Sequence, residues 1–488
     1  MERLNARLFD APRRPVKVLQ YGEGNFLRAF VDYMLDIANE KAGFDGGVAL
    51  VKPIPMGSLQ SFHEQDGRYT VLLRGLEDGH PVEKTRLVTC VSDAVDAYAQ
   101  YDRYAAYARD PNLRFVVSNT TEAGIVLDET DRLELCPPNT YPGKLCKLLY
   151  ERAQAFDYAP DKGLILLPVE LIDDNGAALK RCVKALACLW KLGSRFEEWL
   201  EEACVFASTL VDRIVTGYPR DEAEALWRRL GYEDRLLVTG EPFALWVIES
   251  DRDISSELPL AQCGLPVIFT DNQKPYKQRK VRILNGAHTS FVPAAFLCGH
   301  DFVLDAMKDS LIRGFMEGVI YDEVIPTLSL PREDLLSFAQ AVTGRFMNPY
   351  IKHALLSICL NCVSKWRARC MPSLLQYVQD HGALPKRLAF SLAAMMALYR
   401  GGSLGDGVLT CRRDGRPYTL MDDASVLAFF AAHANADART LTKRFLSDET
   451  FFGQDLTQVP GLEAYVGDAL ESVERLGMRQ ALTERFGG

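Results

Sequence analysis

A chain of 488 residues exceeds what one ordinary core accommodates, so two or three domains are expected. Its 48% hydrophobic and 25% charged residues are globular proportions, which excludes disordered, collagen-like and low-complexity architectures. Fifty-six Lys and Arg against 65 Asp and Glu give a net charge of −9. With no basic stripe to neutralise phosphates, nucleic acid is not an expected partner.

The first fifteen residues are charged throughout and lack the apolar centre of a signal peptide. No segment approaches the roughly 20 apolar residues of a membrane span. The twelve cysteines are scattered along the chain, which points to reduced thiols in a cytoplasm. Residues 16–20 read as a strand, 26–39 as an amphipathic helix and 48–51 as a second strand. Further strands are expected at 69–73, 115–118 and 164–169. Continuous apolar runs of this length between helices predict a parallel sheet covered on both faces. Beyond about residue 276 long helical periodicities take over, at 281–297, 301–325, 332–342, 351–380 and 385–400, and strands are almost absent. The expected fold class is therefore an α/β N-terminal Rossmann-like domain, residues 1–276, followed by a mainly α-helical C-terminal domain, residues 277–488. Cys359 and Cys362 form a CxxC inside an apolar helical pattern. Without a second pair at ligand spacing they read as buried helix thiols, and no metal site is expected.

Gly22-Glu23-Gly24-Asn25-Phe26-Leu27-Arg28 directly follows the first strand and opens the first helix. The first glycine permits a tight turn, and the second lets backbone amides approach a pyrophosphate at the helix N-terminus. Leu27 replaces the third glycine of GxGxxG. Gly22, Gly24, Asn25 and Phe26 are thus candidate cofactor contacts. Thr121 and Glu122, in the loop after the 115–118 strand, are two more, because cofactor loops follow strands in such sheets. The second strand ends in Lys52-Pro53 with no ribose-binding acid; Lys52 could meet the 2′-phosphate of NADP, although it reads first as an ordinary solvated residue.

Around the boundary, Lys280, Asn285 and His288 share one polar helical segment. Asn285 and His288 lie three apart and so side by side. Lys280 lies roughly 12 Å from His288 along a regular helix, at about 1.5 Å per residue. A desolvated lysine can exchange a proton with a hydroxyl or carbonyl, and an asparagine amide can donate to a developing alkoxide. A histidine can orient a neighbouring hydroxyl. A capped helix with a satisfied histidine is the plain alternative. Asn175, after the 164–169 strand, could supply a second amide, although an Asn-Gly pair is also a common turn.

These motifs match a known family. LQYGEGNFLRAF (19–30), SNTTEAGI (118–125), PVELIDDNG (168–176), STLVDRIVTGYPRDE (208–222) and the Lys-x4-Asn-x2-His of Lys280, Asn285 and His288 occur in order over nearly the whole chain. The chain resembles the long-chain polyol dehydrogenases, or mannitol dehydrogenase family. TGRFMNPYIKH (343–353) and QDLTQVPGL (454–462) resemble the version found in its uronate-reducing members. The resemblance implies an NAD-dependent, metal-independent secondary-alcohol dehydrogenase acting on an open-chain sugar acid, with its active site in the cleft between the domains. Lys280 is then the general acid–base, Asn285 and Asn175 bind the reacting oxygen, and His288 holds substrate. Asp212 joins the cofactor contacts. Sugar-alcohol members carry Cys-Asp-Asn where this chain has Val169-Glu170-Leu171. The implied reaction is reduction of tagaturonate to altronate with NADH in galacturonate breakdown, by a monomer or small homo-oligomer. A fructuronate reductase, a mannitol dehydrogenase or a non-catalytic nucleotide sensor is the alternative. A uronate needs a cationic partner, and Arg345, Lys352 and His353 are the candidates.

Overall fold

The computed structural model describes residues 1–77, 79–121 and 123–487. The chain divides into two compact units, Met1–Gly75 with Pro81–Gln273 and Leu76–His80 with Lys274–Gly488. No helix among the described residues is long and apolar enough to cross a membrane.

The first unit is built on six strands: β1 (Val16–Tyr21), β2 (Gly47–Lys52), β3 (Val91–Asp96), β4 (Phe115–Ser118), β5 (Ile165–Pro168) and β6 (Val205–Phe206). They form one sheet in the order β3-β2-β1-β4-β5-β6, with every neighbouring pair parallel. This is the doubly wound order of dinucleotide-binding sheets, whose direction of winding reverses between β1 and β4. Successive residues feed opposite layers. Val18, Val48, Leu50, Val117 and Leu167 enter one core, and Leu19, Ala49, Val51, Val116 and Leu166 enter the other. Covering on both faces explains why these strands read as unbroken apolar runs.

The expected strand at 69–73 exists as part of Tyr69–Glu77, yet it belongs to a different, four-stranded sheet with His80–Val88, Val215–Gly217 and Val238–Gly240. An apolar run records burial and not the identity of the neighbouring strand. β3 went unread because VSDAVD, at the sheet edge, mixes three polar residues with three apolar ones and contains neither an unbroken apolar run nor a strict alternation.

The second unit is helical around Gly286–Leu297, a helix buried on nearly every side. The expected 351–380 helix is broken into Leu355–Ile358, Cys362–Arg369 and Met371–His381. Asn361 adopts a left-handed φ of 52° between the first two, and a proline opens the third. Cys359 and Cys362 are buried as expected, at 1% and 2% exposure, but they close one helix and begin the next. Strands are also present, contrary to expectation. Ser403–Gly405, Val408–Arg413 and Arg416–Leu420 form an antiparallel sheet. Its two turns are Asp-Gly pairs, Asp406-Gly407 and Asp414-Gly415, all with positive φ. That hairpin signal was present in the sequence.

Candidate active site

In the first unit the turn after β1 is shaped by two glycines with different duties. Gly22 has φ +122°, and a Cβ on it would lie 3.2 Å from the Asn119 carbonyl oxygen beyond β4. The loops after β1 and β4 therefore meet at this point, and only glycine fits both the backbone and the space. Gly24 has an ordinary φ of −67° and stands at the start of the helix with no side-chain cap. A Cβ there would meet nothing within 4 Å. The first-turn amides, which have no intrahelical acceptor, thus border open space. This is the cradle a pyrophosphate requires. Asn25 is anchored beside it, its Oδ1 accepting from Arg28 Nη2 at 2.6 Å. Phe26 stacks on Phe30 with ring centroids 5.0 Å apart.

Beyond β4 the loop is held by a residue that sequence reasoning passed over. The Glu170 carboxylate accepts from Ser118 Oγ (3.0 Å) and from both the backbone amide and the Oγ1 of Thr120 (2.9 Å each). Burial raises its pKa against the pull of these donors. The clamp leaves Thr121 exposed with a left-handed φ of 72°. Glu122 lies outside the described residues. Asp212 closes the strand Ser208–Asp212 and is buried.

Two expectations need correction. Lys52 is not a solvated residue. It is 3% exposed and paired with Asp96 at 2.7 Å, and it also donates to the carbonyls of Pro55 and Gly57. Asn175 cannot offer its amide to a substrate oxygen in this geometry. It is fully buried, and its Nδ2 lies 3.0 Å from each of three carbonyl oxygens, those of Pro168, Glu170 and Thr209. Its Oδ1 accepts from the amides of Gly176 and Thr209. The side chain is used up joining the end of β5 to the 208–212 strand.

In the second unit the helical segment Lys274–Leu297 is not regular. Its middle, Lys280–Asn285, is a π-helix, closed by the Gly286 amide donating to the Val281 carbonyl five residues back. On a regular helix, residues five apart point roughly 140° away from each other at about 100° per residue. In the wider i→i+5 turn of a π-helix they lie closer to the same side. The widened turn thereby brings Lys280 round to the side of Asn285, which the periodicity could not foretell. Lys280 is half-buried. The Asn285 carboxamide, unlike that of Asn175, bonds to no other described residue.

His288 follows on the same face. Its ring stacks on Phe346 (4.2 Å between centroids) and meets His353 edge-on (5.3 Å). Its Nε2 is buried and has no hydrogen-bond partner among the described residues. Burial, reinforced by the charges of His353, Arg345, Arg369 and Lys365, holds its pKa well below the usual histidine value. The ring is therefore neutral at physiological pH, with one polar atom to offer. Burial also lowers the pKa of His353. Of the expected carboxylate partners, Arg345 and His353 join this cluster, and Lys352 projects into solvent.

The depressed pKa of His288 has a consequence for stability. Unfolding lets the ring take up a proton below about pH 6.5, while the folded chain resists protonation. The contribution is present in full above that value and is lost progressively as pH falls toward the folded pKa. Urea midpoints at pH 7.5 and 5.5 should thus fall further for the wild type than for His288→Asn. Equal losses in both proteins would place the proton uptake elsewhere.

Residues 16–261 match the family model described as the mannitol dehydrogenase Rossmann domain, and residues 272–474 match the mannitol dehydrogenase C-terminal domain. The chain belongs to the mannitol dehydrogenase family. Its relatives include proteins named altronate oxidoreductase from Yersinia enterocolitica, 47% identical, and Pectobacterium atrosepticum, 48% identical, each alignment covering 99% of both chains. Among solved structures, the family fold is shared with Pseudomonas fluorescens mannitol 2-dehydrogenase, described as a ternary complex with NAD and D-mannitol (TM-score 0.68, 24% identity, 99% of each chain). It is also shared with a D-sorbitol dehydrogenase (TM-score 0.80, 22% identity, 98% of this chain and all of that one).

Proposed function

We propose that this mannitol dehydrogenase family member is a cytoplasmic, metal-independent oxidoreductase that reduces D-tagaturonate to D-altronate with NADH, reversibly, in galacturonate breakdown. The observation that carries the reading is the π turn that aligns Lys280 with Asn285 beside a neutral His288, in a cluster rich in cations. The altronate oxidoreductase relatives supply the substrate.

The cofactor side fits a dinucleotide. The open amides at Gly24, Asn25 and Phe26 take the pyrophosphate, the Gly22 turn sets their approach, and Thr121 and Asp212 are assigned to the remainder. NAD is preferred to NADP because the charge of Lys52 is consumed by Asp96, and the Glu23 carboxylate lies close to the same lysine. A 2′-phosphate would meet carboxylates there instead of a free cation.

NADH, when bound, supplies the hydride. Lys280 gives its proton to the carbonyl oxygen as that oxygen gains negative charge, and takes it back in the oxidative direction. The Asn285 amide donates to the same oxygen and stabilises the developing alkoxide. His288 uses its unpartnered Nε2 to fix a neighbouring hydroxyl. Arg345 and His353 add positive field and polar surface at the end where the carboxylate lies. Asn175 has no part in the chemistry.

The test is NADH oxidation measured side by side with tagaturonate, fructuronate and fructose. The highest kcat/KM is expected for tagaturonate. A fructose value equal to it or above would replace the uronate reading with a hexitol dehydrogenase.

A further inference from the structure

The cations around His288 are not equally engaged. Lys365 donates to the Ile358 carbonyl at 3.0 Å and feels the Asp422 carboxylate. Arg369, in the last turn of the helix Cys362–Arg369, has only a neutral partner: its Nη1 lies 3.3 Å from Thr289 Oγ1. The groups that favour its charge are the thiols of Cys370 and Cys362, with no carboxylate among the described residues, while His288 and Lys365 lie within reach of the same field. Burial accordingly lowers its pKa. A half-buried guanidinium has up to five N–H donors to satisfy, and leaving such a charge without a counter-ion is unfavourable.

The position of this arginine is set by close packing. A Cβ on Gly286 would lie 3.2 Å from the Arg369 carbonyl oxygen, and Cys370 Sγ donates to the Gly286 carbonyl at 3.5 Å. The end of the 362–369 helix is therefore packed closely onto the catalytic helix, so that a side chain at Gly286 would have to push it back by a few tenths of an ångström. Thr289, which anchors the guanidinium, itself donates to the Asn285 carbonyl at 3.0 Å. Asn285, His288 and Thr289 share one helical face, since their spacings are three and four residues. Arg369 thus stands one helical turn from Asn285, beside the face that carries the assigned substrate contacts and within a short sugar chain's length of the reacting carbonyl.

We infer that Arg369 is the specificity-determining residue for the substrate's carboxylate, gripping it through the guanidinium edge not used by Thr289. The inference rests on the uronate reading above and names the group that discriminates a hexuronate from a neutral ketose. A guanidinium can bind a carboxylate through two parallel hydrogen bonds. A neutral substrate would leave the charge without a counter-ion, so the same residue favours uronates and disfavours ketoses.

Two measurements test this in the full-length protein. In the first, kcat/KM for tagaturonate and for tagatose is compared in wild type, Arg369→Gln and Arg369→Lys. Glutamine keeps a donor for Thr289 and most of the volume, which protects the fold. Arg369→Gln should lose 10-fold or more on tagaturonate and little on tagatose, with lysine restoring part of the difference and NADH affinity unchanged. Equal losses on both substrates, or none, would overturn the assignment. In the second, binding of D-galactonate and galactitol is followed by thermal shift without turnover. Wild type should respond to the anion alone, and Arg369→Gln should not. An anion response present in wild type without tagaturonate turnover would sink the substrate reading and leave Arg369 as the anion site. An identical anion response in the two proteins would remove Arg369 from that role, whatever the substrate proves to be.

Discussion

Lys280→Met is expected to lower kcat for tagaturonate reduction by about 10²–10⁴-fold, the usual contribution of a general acid–base, while NADH still binds. Methionine matches the lysine stem in length and removes only the proton carrier, so the fold of a half-buried position is preserved. With Lys280 assigned to the chemical step in the proposed reaction, kcat and kcat/KM should fall together. The remaining rate should lose its dependence on the ionisation of the lysine. The measurement is a pH–rate profile of both proteins with NADH titration as the control. A variant that keeps near-normal turnover would remove Lys280 from the proton path and leave the π turn as a packing feature. Asn285→Ala should fall in the same direction by a smaller factor, since Lys280 can still protonate the oxygen.

The second large effect is expected at the phosphate turn, where the two glycines should separate cleanly. Gly24→Val places a branched side chain in open space bordered by the first-turn amides. It should weaken NADH by roughly 10- to 150-fold, the equivalent of losing ~1.5–3 kcal/mol of charge-assisted hydrogen bonding. Thermal stability should change little, because the side chain meets no protein atom within 4 Å. Gly22→Ala should do the reverse. Its φ of +122° and the Asn119 carbonyl at 3.2 Å make the substitution cost about 1–3 kcal/mol of stability. Fluorescence titration of NADH and thermal melts on both variants check the pair. An unaltered NADH affinity in Gly24→Val would reduce the motif to a simple turn.

How much of this was legible without coordinates depends on the distance over which each signal acts. The sequence by itself determined the division into an α/β part and a helical part, because burial on two sheet faces and burial on one helix face leave different periodicities. It also determined the glycine turn between β1 and the first helix, whose glycines, strand and helix are neighbours along the chain. It carried the family as well, since Lys280, Asn285 and His288 keep their spacing within one segment. Even the Asp-Gly hairpins of the second unit were readable, and were missed because the helical pattern around them dominated. Tertiary structure alone decided what depends on remote partners. VSDAVD joined the main sheet at its edge, and the 69–77 strand joined another sheet, because pairing is chosen across the fold and not along the chain. Asn175 lost its expected role when carbonyls from β5, Glu170 and the 208–212 strand converged on its amide. Lys52 turned inward because Asp96 ends the adjacent strand in register with it. The π turn at Lys280–Asn285 and the arrival of Arg369 beside Thr289 belong to the same class. Both lie on the Lys274–Leu297 segment, and no local periodicity records a contact made from eighty residues away.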